Sequence, residues 1–398
     1  MTTVHHAPAP IPGLSPGDAT ALLDAYRPGE DRFFASPTRT LLAHGVRAEV
    51  PDDERPLPQR VAATLEAHRR AGGPAPLVVG AVPFAPTAPA PPLVVPGTVR
   101  RAPALREDPL IALPAPPPSA TDWTVRAVPA PEEYAAAVAE AVRRMRAGEL
   151  SKAVLARTLE LTAPGPLDIP AMLQRLARRD PAGYTFAMPS GPGTTLLGAS
   201  PELLVSRRGG RLVANPLAGS APRSTDLAED VRRAAALLDS AKDLHEHAVV
   251  VDAVREALAP YCAELDVPAR PTLVRTAAMW HLSTTVTGRP TDPAVSALEL
   301  ACALHPTPAV CGTPVRTARE VIGKLEPFER GLYTGMVGWG DADGDGEWVV
   351  TIRCAEAETD RLRLYAGAGV VAGSSPEAET AETGAKFATF LHAVGADR

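Results

Sequence analysis

An α+β class is expected for this chain of 398 residues, on three observations. Strand-like segments come in pairs joined by glycine-bearing turns, the local pattern of antiparallel sheet. Amphipathic stretches bounded by helix start and stop signals stand between those pairs. A 45% hydrophobic content is enough to bury one large core or two ordinary ones. No internal repeat is evident.

Composition narrows the function before any motif is read. The net charge is −6 and the pI about 5.9, with no basic block, so nucleic acid is not an expected partner. The start, "MTTVHHAPAPIPG", lacks the basic and apolar regions of a signal peptide. No apolar run approaches the roughly 20 residues that span a bilayer, so no membrane partner is expected. Cys262, Cys302, Cys311 and Cys354 form no CxxC pair, which predicts a reduced, cytoplasmic protein without a zinc site.

Residues 1–125 are rich in Pro and Ala ("APTAPAPPLVVPG", "LPAPPPSA") and are interrupted by strand candidates such as "PLVVGAVPF". The Pro-rich pieces are read as rigid surface connections between those strands, in a Pro/Ala-rich N-terminal part belonging to the same fold as residues 126–398. In "PEEYAAAVAEAVRRMRAG", Pro131 starts a helix, Tyr134, Val138, Val142 and Met145 form its apolar stripe, and Gly148 stops it. "GELSKAVLARTLEL" follows as a strand. Alternation puts Lys152, Val154 and Ala156 on one face and Ala153, Leu155, Arg157 and Leu159 on the other, so neither face is polar and both are expected to be covered. Lys152 is then either a snorkelling lysine on an edge strand or a functional amine.

"GASPELLVSRRGGRLVANPLAGSAPR" holds two strands joined at Gly209-Gly210, with Glu202 at the entrance of the first, a position that is ordinarily solvated. "SAKDLHEHAVVVDAVREAL" reads as a helix whose core stripe is Leu244, Ala248, Val251 and Leu258. Asp243, Glu246, His247 and Val250 share a neighbouring face, as metal ligands or as wet surface. "GLYTGMVGWGDADGDGEWVVTIRCAEA" is a hairpin. Its acidic turn fails the calcium-loop template, because counting from Asp341 the twelfth position is Ile352 instead of Glu. In "RLYAGAGVVAGSSPEAETAETGAKFATFL" a strand leads to a helix capped by Ser374 or Ser375, with Pro376 in its first turn. Glu379, Glu382 and Lys386 share one face of that helix, and Gly367 and Gly369 allow close backbone approach to a ligand.

These strings, with "HLSTTVTG", "HPTPAVCGTP" and "EPFERGLYTGMVGW", occur in one order over residues 150–387, and together the chain resembles the chorismate-utilising enzymes. That family comprises isochorismate and salicylate synthases and the large subunits of anthranilate and aminodeoxychorismate synthase. The resemblance implies an α+β fold of two large, mostly antiparallel sheets packed together with outer helices. It implies Lys152 as general base on water and Glu202 as general acid on the leaving hydroxyl. It implies Glu246 and Glu382 as Mg²⁺ ligands, with Asp243 and Glu379 behind them. Arg353, Tyr333 and Gly367 match the groups that hold the enolpyruvyl carboxylate. Lys386 lies near the ring carboxylate, and His281, Ala309 and Gly219 line the substrate site.

The substrate so implied, chorismate, is a dianion, for which an acidic protein must build a local cationic pocket from Arg353, Lys386 and the metal. Burial and neighbouring cations are expected to favour the neutral form of Lys152. The lysine speaks for water as nucleophile, and no glutaminase segment is fused to the chain. Ala309, in "HPTPAVCG", matches isochorismate synthases, whereas salicylate-forming relatives tend to have Thr there. The expectation is therefore a Mg²⁺-dependent isochorismate synthase of siderophore or menaquinone biosynthesis, a monomer without a glutaminase subunit, with salicylate synthase as the alternative. A non-catalytic relative is disfavoured because every catalytic and ligand position is filled.

Overall fold

The computed structural model describes residues 17–72, 75–118 and 122–396. Among these, two large sheets in which every paired strand runs antiparallel to its neighbour carry the fold. The first runs, edge to edge, through Gly312–Thr313, Lys152–Thr162, Arg361–Val371, Cys354–Ala357, Thr194–Ser200, Tyr184–Gly191, Asp31–Ser36, Arg39–His44 and Thr98–Ala102. Thr124–Val128 also pairs with Lys152–Thr162. The second runs through Cys262–Asp266, Val286–Pro290, Arg211–Asn215, Leu203–Arg208, Gly346–Val350, Met336–Asp341, Leu77–Val82, Val94–Val95 and Ala48–Glu49. A small third sheet joins Leu217–Pro222, Met279–Ser283 and Thr272–Arg275. This is the α+β architecture that the sequence leads one to expect, and strands between residues 31 and 102 extend both large sheets.

The sheets pack face to face through Phe34, Leu41, Phe186, Met188 and Leu196 on one side and Val79, Leu203, Val337, Trp339 and Val349 on the other. Helices cover the outer faces. Pro131–Arg146 buries Tyr134, Val138, Val142 and Met145 as its periodicity predicts, and it ends before Gly148, which has a φ of 79°. The hairpin at Gly209-Gly210 forms with Arg208 opposite Arg211, and the 341–346 turn closes the hairpin of Met336–Asp341 and Gly346–Val350. Among the described residues no helix is long and apolar enough to cross a membrane.

One expected face is corrected. In helix Ala241–Leu258 the buried residues are His247, Val250, Val254 and Leu258, so of the predicted stripe only Leu258 is buried. Leu244, Ala248 and Val251 instead line an open groove with Leu265 and Val267. The helix turns its acidic face inward because that face meets lysines and a small third sheet. The buried face is itself mostly apolar, with Val250, Val254 and Leu258 beside His247, and Asp243 and Glu246 are half-buried at its edge.

Strand Lys152–Thr162 is buried along most of its length and pairs over eleven residues with Arg361–Val371, from Lys152 opposite Val371 to Thr162 opposite Arg361. On its other side it has two partners with a gap between them. Gly312–Thr313 covers residues 152–153 and Thr124–Val128 covers 158–162. Side chains fill that gap. The Ala156 amide donates to Glu326 Oε1 (2.8 Å), and Arg330 donates to the Val154 carbonyl (2.7 Å) and the Val310 carbonyl (2.8 Å). Glu326 and Arg330 are bidentately paired and 3% exposed each, and the guanidinium lies over the Phe84 ring at 4.6 Å.

A buried pair is most costly when one partner is removed. Arg330→Met is expected to lower unfolding free energy by about 3–5 kcal/mol in urea denaturation. Adding Glu326→Gln to it should recover part of that loss, because the stranded carboxylate is then gone.

Candidate active site

Two crossings of the chain between the large sheets create the site. The chain leaves the first sheet at Ser200 and enters the second at Leu203, with Glu202 in between. It returns from Val350 to Cys354, with Arg353 in between at a φ of +50°, a backbone rarely adopted by a side-chain-bearing residue. The crossings are tied side by side. The Ala199 amide donates to the Arg353 carbonyl (3.0 Å), the Val350 amide to the Glu202 carbonyl (3.1 Å), and Ser200 Oγ to the Val350 carbonyl (2.7 Å). Acid and arginine therefore sit on the seam between sheets, where regular pairing stops.

Glu202 is 3% exposed, so the ordinary solvated reading of a strand-entrance glutamate does not hold here. Burial pushes its pKa up to about 7, against the opposing effects of the Leu217 amide and of Lys152, Arg353 and Lys386. Lys152 is 2% exposed and its Nζ donates to Glu246 Oε1 at 2.8 Å. The charge touching Lys152 is therefore a carboxylate, which corrects the expectation of cations beside it. Gly369 makes that contact possible, since a Cβ there would lie 2.3 Å from Glu246 Oε1.

Glu246 and Asp243 come from helix Ala241–Leu258, whose first turn Ser240 caps, and Glu379 and Glu382 from helix Pro376–Val394, capped by Ser375. Burial, with the charge of Glu382, raises the pKa of the 1%-exposed Glu379. Burial, with the charge of Glu246, raises that of Asp243. Burial also works against the charge of Glu382, but Lys386 at 2.6 Å and Ser220 at 3.2 Å overcome it and hold that carboxyl below its usual range. Lys386 Nζ also donates to the Gly367 carbonyl at 2.8 Å. Among the described residues no three His, Cys, Asp or Glu side chains are gathered as a preformed metal cage. Two carboxylates from facing helices, crowded enough to raise their neighbours' pKa values, nevertheless fit a hard divalent ion that takes its other ligands from water and substrate.

The residues expected to bind the substrate's carboxylates are placed as follows. The Arg353 guanidinium has no hydrogen bond or ion pair among the described residues and is free to take a carboxylate. Tyr333 is 3% exposed, stacks on Tyr365 (4.8 Å between centroids), and its hydroxyl lies 2.9 Å from where a Gly367 Cβ would be. His281 is 5% exposed and its Nε2 has no partner. Burial and the Arg353 and Lys386 charges hold its pKa well below normal, so it is a neutral ring facing the site. Gly219, at φ +77°, bulges its strand so that helix Ala241–Leu258 can approach, since a Cβ there would meet the Asp243 Cβ at 3.0 Å. Ala309 is half-buried in the loop before Gly312–Thr313, flanked by the anchored Val310 and Cys311 carbonyls.

Lys242, Ser220 and Tyr365 are not singled out by the sequence, and His247, placed there on the face of Asp243 and Glu246, has a different role from a ligand or a wet surface. Lys242 donates to Glu379 at 3.2 Å. Ser220 holds Glu382. His247, held neutral by burial with a pKa of about 4, donates from Nδ1 to the Ala218 carbonyl (3.2 Å) and accepts at Nε2 from the Thr284 hydroxyl (2.7 Å). Tyr365 supports Tyr333. The i,i+4 spacing of Lys242 to Glu246 was a legible signal; the other three depend on contacts between distant segments.

Residues 106–395 match the model of the family described as chorismate binding enzyme. The chain is 53% identical to isochorismate synthase DhbC of Bacillus subtilis, over 95% of this chain and 97% of that protein. It is 41% identical to the vibriobactin-specific isochorismate synthase of Vibrio cholerae, over 94% of each. A crystal structure titled putative 2,3-dihydroxybenzoate-specific isochorismate synthase, DhbC from Bacillus anthracis, superposes with a TM-score of 0.89 at 49% identity, covering 95% of this chain and 100% of that one.

The raised pKa of Glu202 fixes a stability signature. Below pH 4.5 the group is protonated folded and unfolded, and it adds no pH dependence. Between 4.5 and about 7 only the folded state keeps the proton, so stability falls as pH rises, and above about 7 the loss is complete. Glu202→Gln, which does not titrate, is expected to gain up to about 3 kcal/mol on the wild type across that window. Denaturation at pH 4.5 and pH 8 checks it, and an equal difference at both values refutes the raised pKa.

Proposed function

We propose that this chain, which belongs to the chorismate-binding enzyme family, works as an isochorismate synthase, converting chorismate reversibly to isochorismate. The observation that carries this reading is a buried carboxyl with a pKa near 7 that lies within electrostatic reach of the buried Lys152 and of Arg353. That is a general acid, a general base and an anion anchor around a ring-sized substrate.

Arg353, with the Tyr333 hydroxyl and the Gly367 backbone, takes the enolpyruvyl carboxylate. Lys386 serves the ring carboxylate, and neutral His281 and Gly219 shape the wall. Lys152, in its neutral amine form, accepts a proton from the water that attacks C2. The ring double bonds shift, and Glu202 delivers its proton to the C4 hydroxyl, which leaves as water. One water enters and one departs, so the reaction is an isomerisation. Mg²⁺ held by Glu246 and Glu382, with Asp243 and Glu379 behind them, would supply charge neutralisation for the substrate carboxylate. The names of the relatives at 53% and 49% identity support this product over salicylate. We further infer a monomeric cytoplasmic enzyme that needs no glutaminase subunit, since its nucleophile is water, and whose product enters a siderophore or menaquinone route.

Turnover of chorismate is expected to require Mg²⁺ and to stop in excess EDTA; full turnover there would refute the metal assignment. Lys152→Gln and Glu202→Gln should each lose about 10²- to 10⁴-fold in kcat while still binding chorismate in calorimetry. A Lys152→Gln variant with wild-type turnover at neutral pH would make the lysine structural.

Ala309 offers the substrate a methyl group and no hydrogen bond. The wild type is expected to release isochorismate with little pyruvate, and Ala309→Thr to gain some salicylate. Coupled pyruvate assay and salicylate fluorescence read both, and stoichiometric pyruvate from the wild type would promote the salicylate-forming alternative.

A further inference from the structure

The floor of the site contains four carboxylates, Asp243, Glu246, Glu379 and Glu382, on two facing helices. Three of them are each ion-paired to a different lysine. Lys152 holds Glu246 at 2.8 Å, Lys386 holds Glu382 at 2.6 Å and Lys242 holds Glu379 at 3.2 Å. Two of these lysines have work elsewhere in the proposed reaction, at the attacking water and at the ring carboxylate. Lys242 has none. It links helix Ala241–Leu258 directly to helix Pro376–Val394, its partner Glu379 is 1% exposed, and its own side chain is 45% exposed, so it has open solvent into which to withdraw. Glu246 and Asp243 also act on its charge.

We propose that Lys242 is a positioning residue: the resident counter-ion of the carboxylate floor, which pins the two helices together in the metal-free enzyme and yields when a divalent cation brings its charge. The proposal rests on the reading of Glu246 and Glu382 as Mg²⁺ ligands. Its physical content is a competition. An ammonium among carboxylates stabilises the empty site and repels the incoming cation by the same Coulomb term, so it sets the metal affinity without touching substrate. A lysine that served only as a mechanical pin would add stability and leave affinity unchanged or improved.

The test uses the full chain, freed of metal, titrated calorimetrically with MgCl₂ in the absence of chorismate. Lys242→Gln keeps a donor toward Glu379 and removes the charge. It is expected to bind Mg²⁺ at least about tenfold more tightly than the wild type, on the order of one unit charge removed at short range. Its metal-free Tm should fall, and the difference should close at saturating Mg²⁺. Lys242→Arg, which retains the charge, should keep wild-type affinity. Equal or weaker Mg²⁺ binding by Lys242→Gln, or a Tm deficit that persists at saturating Mg²⁺, overturns the proposal. Absence of Mg²⁺ binding by the wild type overturns instead the ligand assignment beneath it.

Discussion

The bidentate pair of Glu326 and Arg330 substitutes for a missing stretch of β-strand. Strand Lys152–Thr162 is flanked on one side by two short partners, and past the bond of the Val154 amide to the Cys311 carbonyl they leave the Val154 carbonyl and the Ala156 amide without a strand partner. Glu326 takes the Ala156 amide and Arg330 the Val154 and Val310 carbonyls. One charge pair thereby fixes the strand that presents Lys152, the loop that presents Ala309 and, through Thr334 and the Tyr333 ring, the turn that presents Tyr333. Each of those segments is set relative to the others by Glu326 and Arg330.

The same economy explains why acid and arginine lie where the chain changes sheets. A sheet interior offers only pleated side chains at fixed spacing, whereas a crossover frees a residue to point along the seam. Two adjacent crossovers, bonded through Ala199, Ser200, Glu202, Val350 and Arg353, hold that freedom to one geometry. Burial there raises Glu202 toward neutrality, which is what a proton donor at physiological pH requires. The strained backbone of Arg353 belongs to the same arrangement: the turn between sheets leaves its guanidinium unpaired and available.

A protein of net charge −6 that accepts a dianion must keep its cations local. Here they are kept by carboxylates. The buried Lys152 and the half-buried Lys386 are held by Glu246 and Glu382, and the carboxylates tolerate crowding because lysines hold them. Charge balance in the site is therefore shared among residues rather than assigned pair by pair, and binding of either a cation or an anion redistributes all of it.

Much of this was legible in the linear chain. Apolar periodicity with Pro131 and Gly148 marked one helix to within a residue or two, Gly209-Gly210 marked a hairpin, and the ordered strings from residue 150 to 387 marked the family. These are local signals, set by backbone preference and by side chains within a few residues of one another. Helix Ala241–Leu258 shows where such signals stop: two apolar stripes compete for burial along it, and the one the fold buries is the one whose neighbours Glu246 and His247 meet Lys152 and Thr284, from segments 37 to 94 residues away. The identity of Lys152, Glu202 and Glu246 as a set was readable; that Lys152 rests on Glu246, that Glu202 is buried enough to hold a proton, and that Lys242 closes the floor were decided only by tertiary structure. Charge and solvation at a residue depend on what surrounds it in three dimensions, and no pattern of neighbours along the chain encodes that.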